Sequence, residues 1–298
     1  MQLTSIKVKT LLDKFYAEFD FARGVSNDPI EFPHRYEAPL DIEVAAFIAS
    51  SFAYGRVELF KPVIGSILSK MGQSPSAFLY DFDVERQRNS FEAISYRFNK
   101  GKDVCAFLYV IHRVLQQKGS LKAAFLERYN GDVYEMLGNF VQYACEIDTI
   151  AVYGDNIHHI GLLQLFPSPF KGSACKRLNM FLRWMVRDKD IDFGLWKELP
   201  KSGLIIPLDT HIGRVGRCLG LTTRKSNDWK TAKEITVHLK EFDPDDPIKY
   251  DFALCHHGIS GSCSPAQCGG CELNAVRESN KGGGSASPQT LPQGDSSP

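Results

Sequence analysis

The apolar pattern of this 298-residue chain predicts an all-α fold. Three observations carry the prediction. Apolar residues recur three and four apart along most of the chain, which is the period of one helix face. Apolar and polar residues nowhere alternate over about four to eight positions, as a half-buried strand requires. Hydrophobic residues make up 43% of the chain and charged residues 23%, enough to bury a full-sized core.

Taken in order, Leu11, Leu12, Phe15 and Phe19 line one face of an N-terminal helix. A polar, proline-containing stretch follows from Arg23 to Pro39. Asp41 then opens D-I-E-V-A-A-F-I-A-S-S-F, which is apolar on nearly every side and predicts a buried helix. Tyr54-Gly55-Arg56 breaks it, and a second helix runs from about Val57 to Met71 with a bend expected near Pro62. Asp103 is the expected N-cap of a helix carrying Val104, Phe107, Leu108, Ile111 and Leu115, which Gly119 stops. Further helices are expected from Ser120 to near Gly131, over Val133 to Cys145, and around 228–242 and 247–256. No repeat of 20–50 residues is visible. From about Asn280 the chain turns Gly/Ser/Pro-rich, as in K-G-G-G-S-A-S-P-Q-T, and a disordered tail is expected over 275–298.

Thirty-five Lys+Arg balance 35 Asp+Glu, so a polybasic coating protein is excluded, while a local basic face remains open. No stretch approaches the ~20 apolar residues of a membrane span, and M-Q-L-T-S-I-K-V-K-T has no signal-peptide core. An intracellular, soluble protein with no membrane partner is expected. Of eight cysteines, four are single residues in apolar segments. The others form Cys255-x7-Cys263-x4-Cys268-x2-Cys271, a density that reads as a metal site when no secretory signal is present. Four thiolates so spaced fit either zinc or a [4Fe–4S] centre, and His256 or His257 is an alternative ligand.

The chemistry concentrates between Phe166 and Leu221. Pro167-Ser168-Pro169 and Gly172-Ser173 make a turn entering a helix that buries Ala174, Leu178, Phe181, Leu182 and Met185. Lys176, Met180, Arg183 and Arg187 fall on a different face, expected to be exposed and basic. Amides at such a helix entry can hold a phosphate. Downstream, Pro207 disfavours helix before itself, and Asp209 is an N-cap for a helix burying Ile212, Val215 and Leu219. His211, Arg214 and Cys218 share its other face.

These two segments together resemble the helix-hairpin-helix DNA glycosylase superfamily, the group of endonuclease III and the 8-oxoguanine glycosylases. Lys176 in C-K-R-L-N-M-F-L stands where that family has the lysine of K-T-A-N-V-V-L-N, and Asp209 in L-D-T-H-I-G-R-V matches the aspartate of V-D-T-H-x-x-R-V. The R-W-M-V-R and P-L-D-T-H blocks, at 183–187 and 207–211, are also those of an uncharacterised bacterial family. The chain departs from the glycosylases in its hairpin, where F-P-S-P-F-K-G-S-A-C replaces L-P-G-x-G, and in a Lys–Asp interval of 33 residues, longer than in endonuclease III.

The resemblance implies a two-lobed helix-hairpin-helix fold with a four-cysteine C-terminal metal loop. One lobe would comprise 1–40 plus 176–274 and the other, a helical bundle with the hairpin, 41–175. It implies a base-excision repair glycosylase with AP-lyase activity on double-stranded DNA holding an oxidised base, 8-oxoguanine being favoured by the long interval. Lys176, or Lys171 in the turn, would form the Schiff base, with Asp209 as charge stabiliser and proton acceptor. Lys171, Gly172, Ser173, Arg177, Arg183, His211 and Arg214 would contact DNA. Tyr54 and Arg56 are candidates for the gap left by a flipped base, and Tyr96, Arg97, Phe98, Asn99 and Trp184 for its pocket. For the cysteine cluster, His257-Gly258 ahead of Cys263 resembles the endonuclease III pattern and favours [4Fe–4S] over zinc. A cytoplasmic, nucleoid-associated monomer is expected if the source is bacterial. A non-catalytic nucleic-acid-binding protein on the same scaffold is the alternative, and a metal-stabilised helical interaction protein the third reading.

Overall fold

A computed structural model describes residues 2–155, 157 and 159–259, and among them the fold is all-α. Its helices in chain order are α1 Gln2–Glu18, α2 Phe21–Val25, α3 Pro39–Phe52, α4 Val57–Lys70, α5 Pro75–Tyr80, α6 Val84–Phe91, α7 Gly101–Lys118 and α8 Leu121–Leu126. They continue as α9 Val133–Glu146, α10 Ile150–Tyr153, α11 Ile160–Leu165, α12 Lys176–Val186, α13 Thr210–Leu219, α14 Trp229–Phe242 and α15 Asp251–Ile259. No strand occurs among the described residues, only isolated bridges at Tyr96–Asn99 and Ser173–Asp228.

Helix α3 is the hub. Every residue from Asp41 to Phe52 is buried, and α4, α5, α8 and α12 pack around it. Its two acids are buried because each caps a neighbour. Asp41 Oδ1 accepts from Ser74 Oγ and Ser76 N, both at 2.8 Å, at the start of α5. Glu43 accepts from Leu121 N and Lys122 N at the start of α8 and from Trp196 Nε1 at 3.0 Å. Orphan amides at a helix start need acceptors, so a charge inside the core is matched by donors with no partner in their own helix. Burial still pushes the Glu43 carboxyl above its ordinary range.

Several starts are set by local caps, each worth about 1 kcal/mol. Asp83, Ser120, Asp132 and Asp228 accept from backbone amides two or three residues ahead. Two expectations need correction. Asp103 is not the N-cap of α7; the helix starts at Gly101, and Asp103 reaches back from its first turn to Lys100 N at 2.8 Å. The helix after Ser120 ends at Leu126, well short of Gly131. Pro62 lies within α4, which continues through it.

The basic face expected on α12 is not exposed. Its apolar stripe is buried, but so are Met180, Arg183 and Arg187 on the other side. Carboxylates arriving from later loops enclose both arginines. Arg183 pairs with Asp192 at 3.3 Å and with Asp251, while Arg187 pairs with Asp192, with Asp190 at 3.0 Å and with both oxygens of Asp246 at 3.0 Å. A buried guanidinium is tolerated when its donors are saturated by carboxylates. Arg183 therefore ties α12 to α15 instead of facing a phosphate.

Candidate active site

Two helix starts build the site. The hairpin between α11 and α12 closes through a 3-10 turn at Pro169–Lys171 and a left-handed Gly172 at φ +80°. It is braced from outside by Trp229 N donating to Gly172 O at 3.2 Å, and by Phe170, whose ring lies where a Cβ on Gly138 would stand. Cys175 follows in an unusual left-handed conformation at φ +48°, and Lys176 is the first residue of α12. The other start is Asp209. Its extended backbone makes it the N-cap of α13, and Oδ1 accepts from His211 N and Ile212 N, both at 2.9 Å.

One carboxylate oxygen is thus fixed by its own helix and the other is left over. Oδ2 faces Lys176 Nζ at 3.1 Å, across 33 residues of chain. A third of the Lys176 side chain is exposed and 16% of Asp209, so the pair reaches solvent. Lys176 stands at the positive end of α12 with no acid in its first turn, a poor place for a cation. Burial also works against its charge, but the Asp209 carboxylate outweighs both and holds the ammonium above its ordinary pKa. For Asp209, burial is outweighed by Lys176 and the Ile212 amide, which hold the carboxyl below its ordinary range. At rest the pair is charged on both sides, and Asp209 is the chief acid that keeps the amine protonated.

The structure brings Lys176 to Asp209, and not Lys171. Lys171 is exposed and lines a separate cavity of about 540 Å³ with Val141, Cys145, Phe166 and Phe170. The hairpin amides expected to grip phosphate are partly spent. Gly172 N donates to Pro169 O at 2.8 Å and Ser173 N to Ser168 O at 3.2 Å. Arg177 is turned inward, donating to Ser51 O and Gln164 O, so its guanidinium closes the joint between α3 and α11. His211 and Arg214 are half-buried on α13, and His211 Nδ1 is buried with no hydrogen-bond partner among the described residues.

Tyr54 is braced, not displayed. Its hydroxyl donates to Asn99 Oδ1, Tyr96 OH donates to Tyr54 O, and the Arg177 guanidinium lies 5.1 Å from its ring centre. Arg56 is exposed at the start of α4. Of the expected pocket aromatics, Trp184 is wholly buried core. Tyr96 and Asn99 are buried and close a tight turn by mutual backbone hydrogen bonds of 2.8 and 2.9 Å. Asn99 Nδ2 further donates to Gly161 O at 2.6 Å. The turn holds Arg97 and Phe98 outward at its tip, with Phe98 65% exposed. An aromatic so exposed on so braced a turn was not distinguishable from core by sequence, because the four residues give no period.

Cys255 comes from α15, and its Sγ lies 4.0 Å from Asp209 Oδ2. Sequence reasoning gave it to the metal loop and missed this contact, which no local spacing signals. Cys263, Cys268 and Cys271, together with the tail from 275, lie outside the described residues.

Fold and site define an all-α protein with a helix–turn–helix hairpin and a solvent-reaching Lys–Asp pair assembled from two helix starts. The chain belongs to the family described as "Protein of unknown function (DUF2400)", whose model matches residues 28–260. No curated protein and no solved structure matches it. No helix among the described residues is long and apolar enough to cross a membrane.

Proposed function

We propose that the protein is a DNA glycosylase with AP-lyase activity, acting through Lys176 on an oxidised base, 8-oxoguanine first among them, in duplex DNA. The observation that carries this reading is the 3.1 Å approach of Lys176 Nζ to Asp209 Oδ2 at a solvent-reaching site. Attack at a sugar's anomeric carbon needs a neutral amine beside a carboxylate that takes its proton and faces the developing positive charge. In the reaction, the ammonium gives a proton to Asp209, the amine bonds to C1′, and the base leaves with the glycosidic electron pair. Sugar opening gives the imine. Loss of a C2′ proton then breaks the C3′–O bond, and the strand parts with phosphate as leaving group. The exposed Arg97–Phe98 tip supports the reading, since extruding a base leaves a gap that an apolar side chain can fill.

The resemblance also implies a [4Fe–4S] cluster or zinc held by Cys255, Cys263, Cys268 and Cys271. The one described member, Cys255, has its sulfur 4.0 Å from Asp209 Oδ2, inside the Lys–Asp site. No step of the mechanism passes through a metal.

The test is covalent trapping. Borohydride with duplexes carrying 8-oxoguanine, other oxidised bases or an abasic site is expected to yield a protein–DNA adduct that Lys176→Gln abolishes and Lys171→Gln keeps. Absence of any adduct from the native protein across that panel refutes the proposal. A non-catalytic nucleic-acid-binding role is the second reading, favoured by the resting ion pair, and salt-dependent binding without adduct selects it.

A further inference from the structure

We infer that Cys255 is a positioning residue of the Lys176–Asp209 pair and not a ligand of a C-terminal metal loop. Its role in the reaction rests on the glycosylase reading; its place in the site does not.

The backbone of α15 is anchored before Cys255 is reached. Asp251, at its start, pairs with the buried Arg183 of α12, and Phe252, Ala253 and Leu254 are core residues. The helix packs on α13, whose N-cap is Asp209. Two buried tethers therefore fix where residue 255 points, and it points at the free oxygen of the N-cap. Among the described residues that carboxylate meets two amides on Oδ1, and Lys176 and the Cys255 sulfur on Oδ2. The charged groups acting on the thiol include Asp209, Lys176, Asp251 and Asp28, the last paired with His256 at 3.6 Å. A sulfur held by α15 against Asp209 Oδ2 is already engaged at the Lys–Asp pair.

A thiol suits this place by its size. It is small and apolar, and it donates weakly. At 4.0 Å it stands beside Oδ2 without binding the oxygen strongly. The carboxylate keeps its orientation toward Lys176. A hydroxyl there would donate more strongly and hold the carboxylate in its charged form.

Two measurements on the full-length protein test this. In the first, Cys255 is alkylated with iodoacetamide and read by peptide mass spectrometry, with iron and zinc content followed in parallel. Asp209→Asn keeps the cap, since Asn caps as well as Asp, but removes a charge. It is expected to speed alkylation at least about fivefold, the effect of one unit charge 4 Å away in water being the lower bound at a part-buried thiol. Lys176→Gln is expected to slow it. The assignment is overturned if neither variant changes the rate, or if Cys255 reacts only once metal has been stripped. The second follows the pH profile of borohydride trapping. Cys255→Ser is expected to displace it and slow trapping, while Cys255→Ala, which adds no donor, stays closer to the native profile. Superimposable profiles for both variants overturn the positioning role. A native protein that forms no adduct sinks the glycosylase reading alone, because the alkylation result still places the thiol.

Discussion

Replacing Arg187 with leucine probes the charge cluster that fixes α12 against the loop leading to α15. The guanidinium side chain is 2% exposed and its three nitrogens reach Asp190, Asp192 and Asp246. Leucine leaves the buried Asp192 side chain with Arg183 as its remaining arginine among these pairs and strands Asp246 nearby. Removing one side of a buried ion pair costs about 3–5 kcal/mol, and the apolar replacement returns only part of that. At about 2–4 °C per kcal/mol for a domain near this size, the midpoint of thermal unfolding is expected to fall by roughly 6–15 °C. Calorimetry at two pH values separates charge from packing. Burial holds the Asp192 carboxyl above its ordinary range even beside two arginines, and loss of one raises it further. The folded variant then binds a proton that the unfolded chain does not, so its stability rises as pH falls toward the unfolded carboxylate value. The gap from the native protein should be smaller at pH 5 than at pH 8. A drop under 2 °C, or a gap independent of pH, refutes the reasoning.

Two further expectations concern stability. Gly101→Ala places a Cβ 2.5 Å from Glu92 Cα and O, backbone atoms that cannot swing aside, whereas Gly119→Ala meets nothing within 4 Å and pays only for φ +80°. Urea unfolding should show a loss of about 1–2 kcal/mol for Gly119→Ala and distinctly more for Gly101→Ala; equal losses contradict the backbone clash. Burial, only partly offset by Arg183, raises the Asp251 carboxyl to about 6. Between the ordinary carboxylate value and 6 the folded chain holds the extra proton, so this group's contribution to stability declines as pH rises through that window. A carboxyl NMR titration placing Asp251 near 4 would contradict the burial argument.

The exposed basic face expected on α12 shows where sequence reading stops. Its spacing was read correctly as a helix with a buried stripe, because residues three and four apart on one chain segment decide that. The helix start at Ser120 and the cap at Asp209 are legible for the same reason: a side chain reaches its own helix's amides within three residues. The short α5, α6, α10 and α11 were missed because one or two turns give the period too few repeats. The charge of Arg183 was visible, but not its fate, since Asp251 lies 68 residues away.

By itself, then, the chain fixed its helical class, the two helix starts of the site and the identity of the acid that caps one of them. These follow from hydrophobic period and from hydrogen bonds spanning a single turn. Tertiary packing alone decided that Lys176 and not Lys171 meets Asp209, that Arg177 and Arg183 turn inward, and that Cys255 joins the acid. Electrostatic partners are chosen by distance in space, and a sequence carries that distance only through the fold.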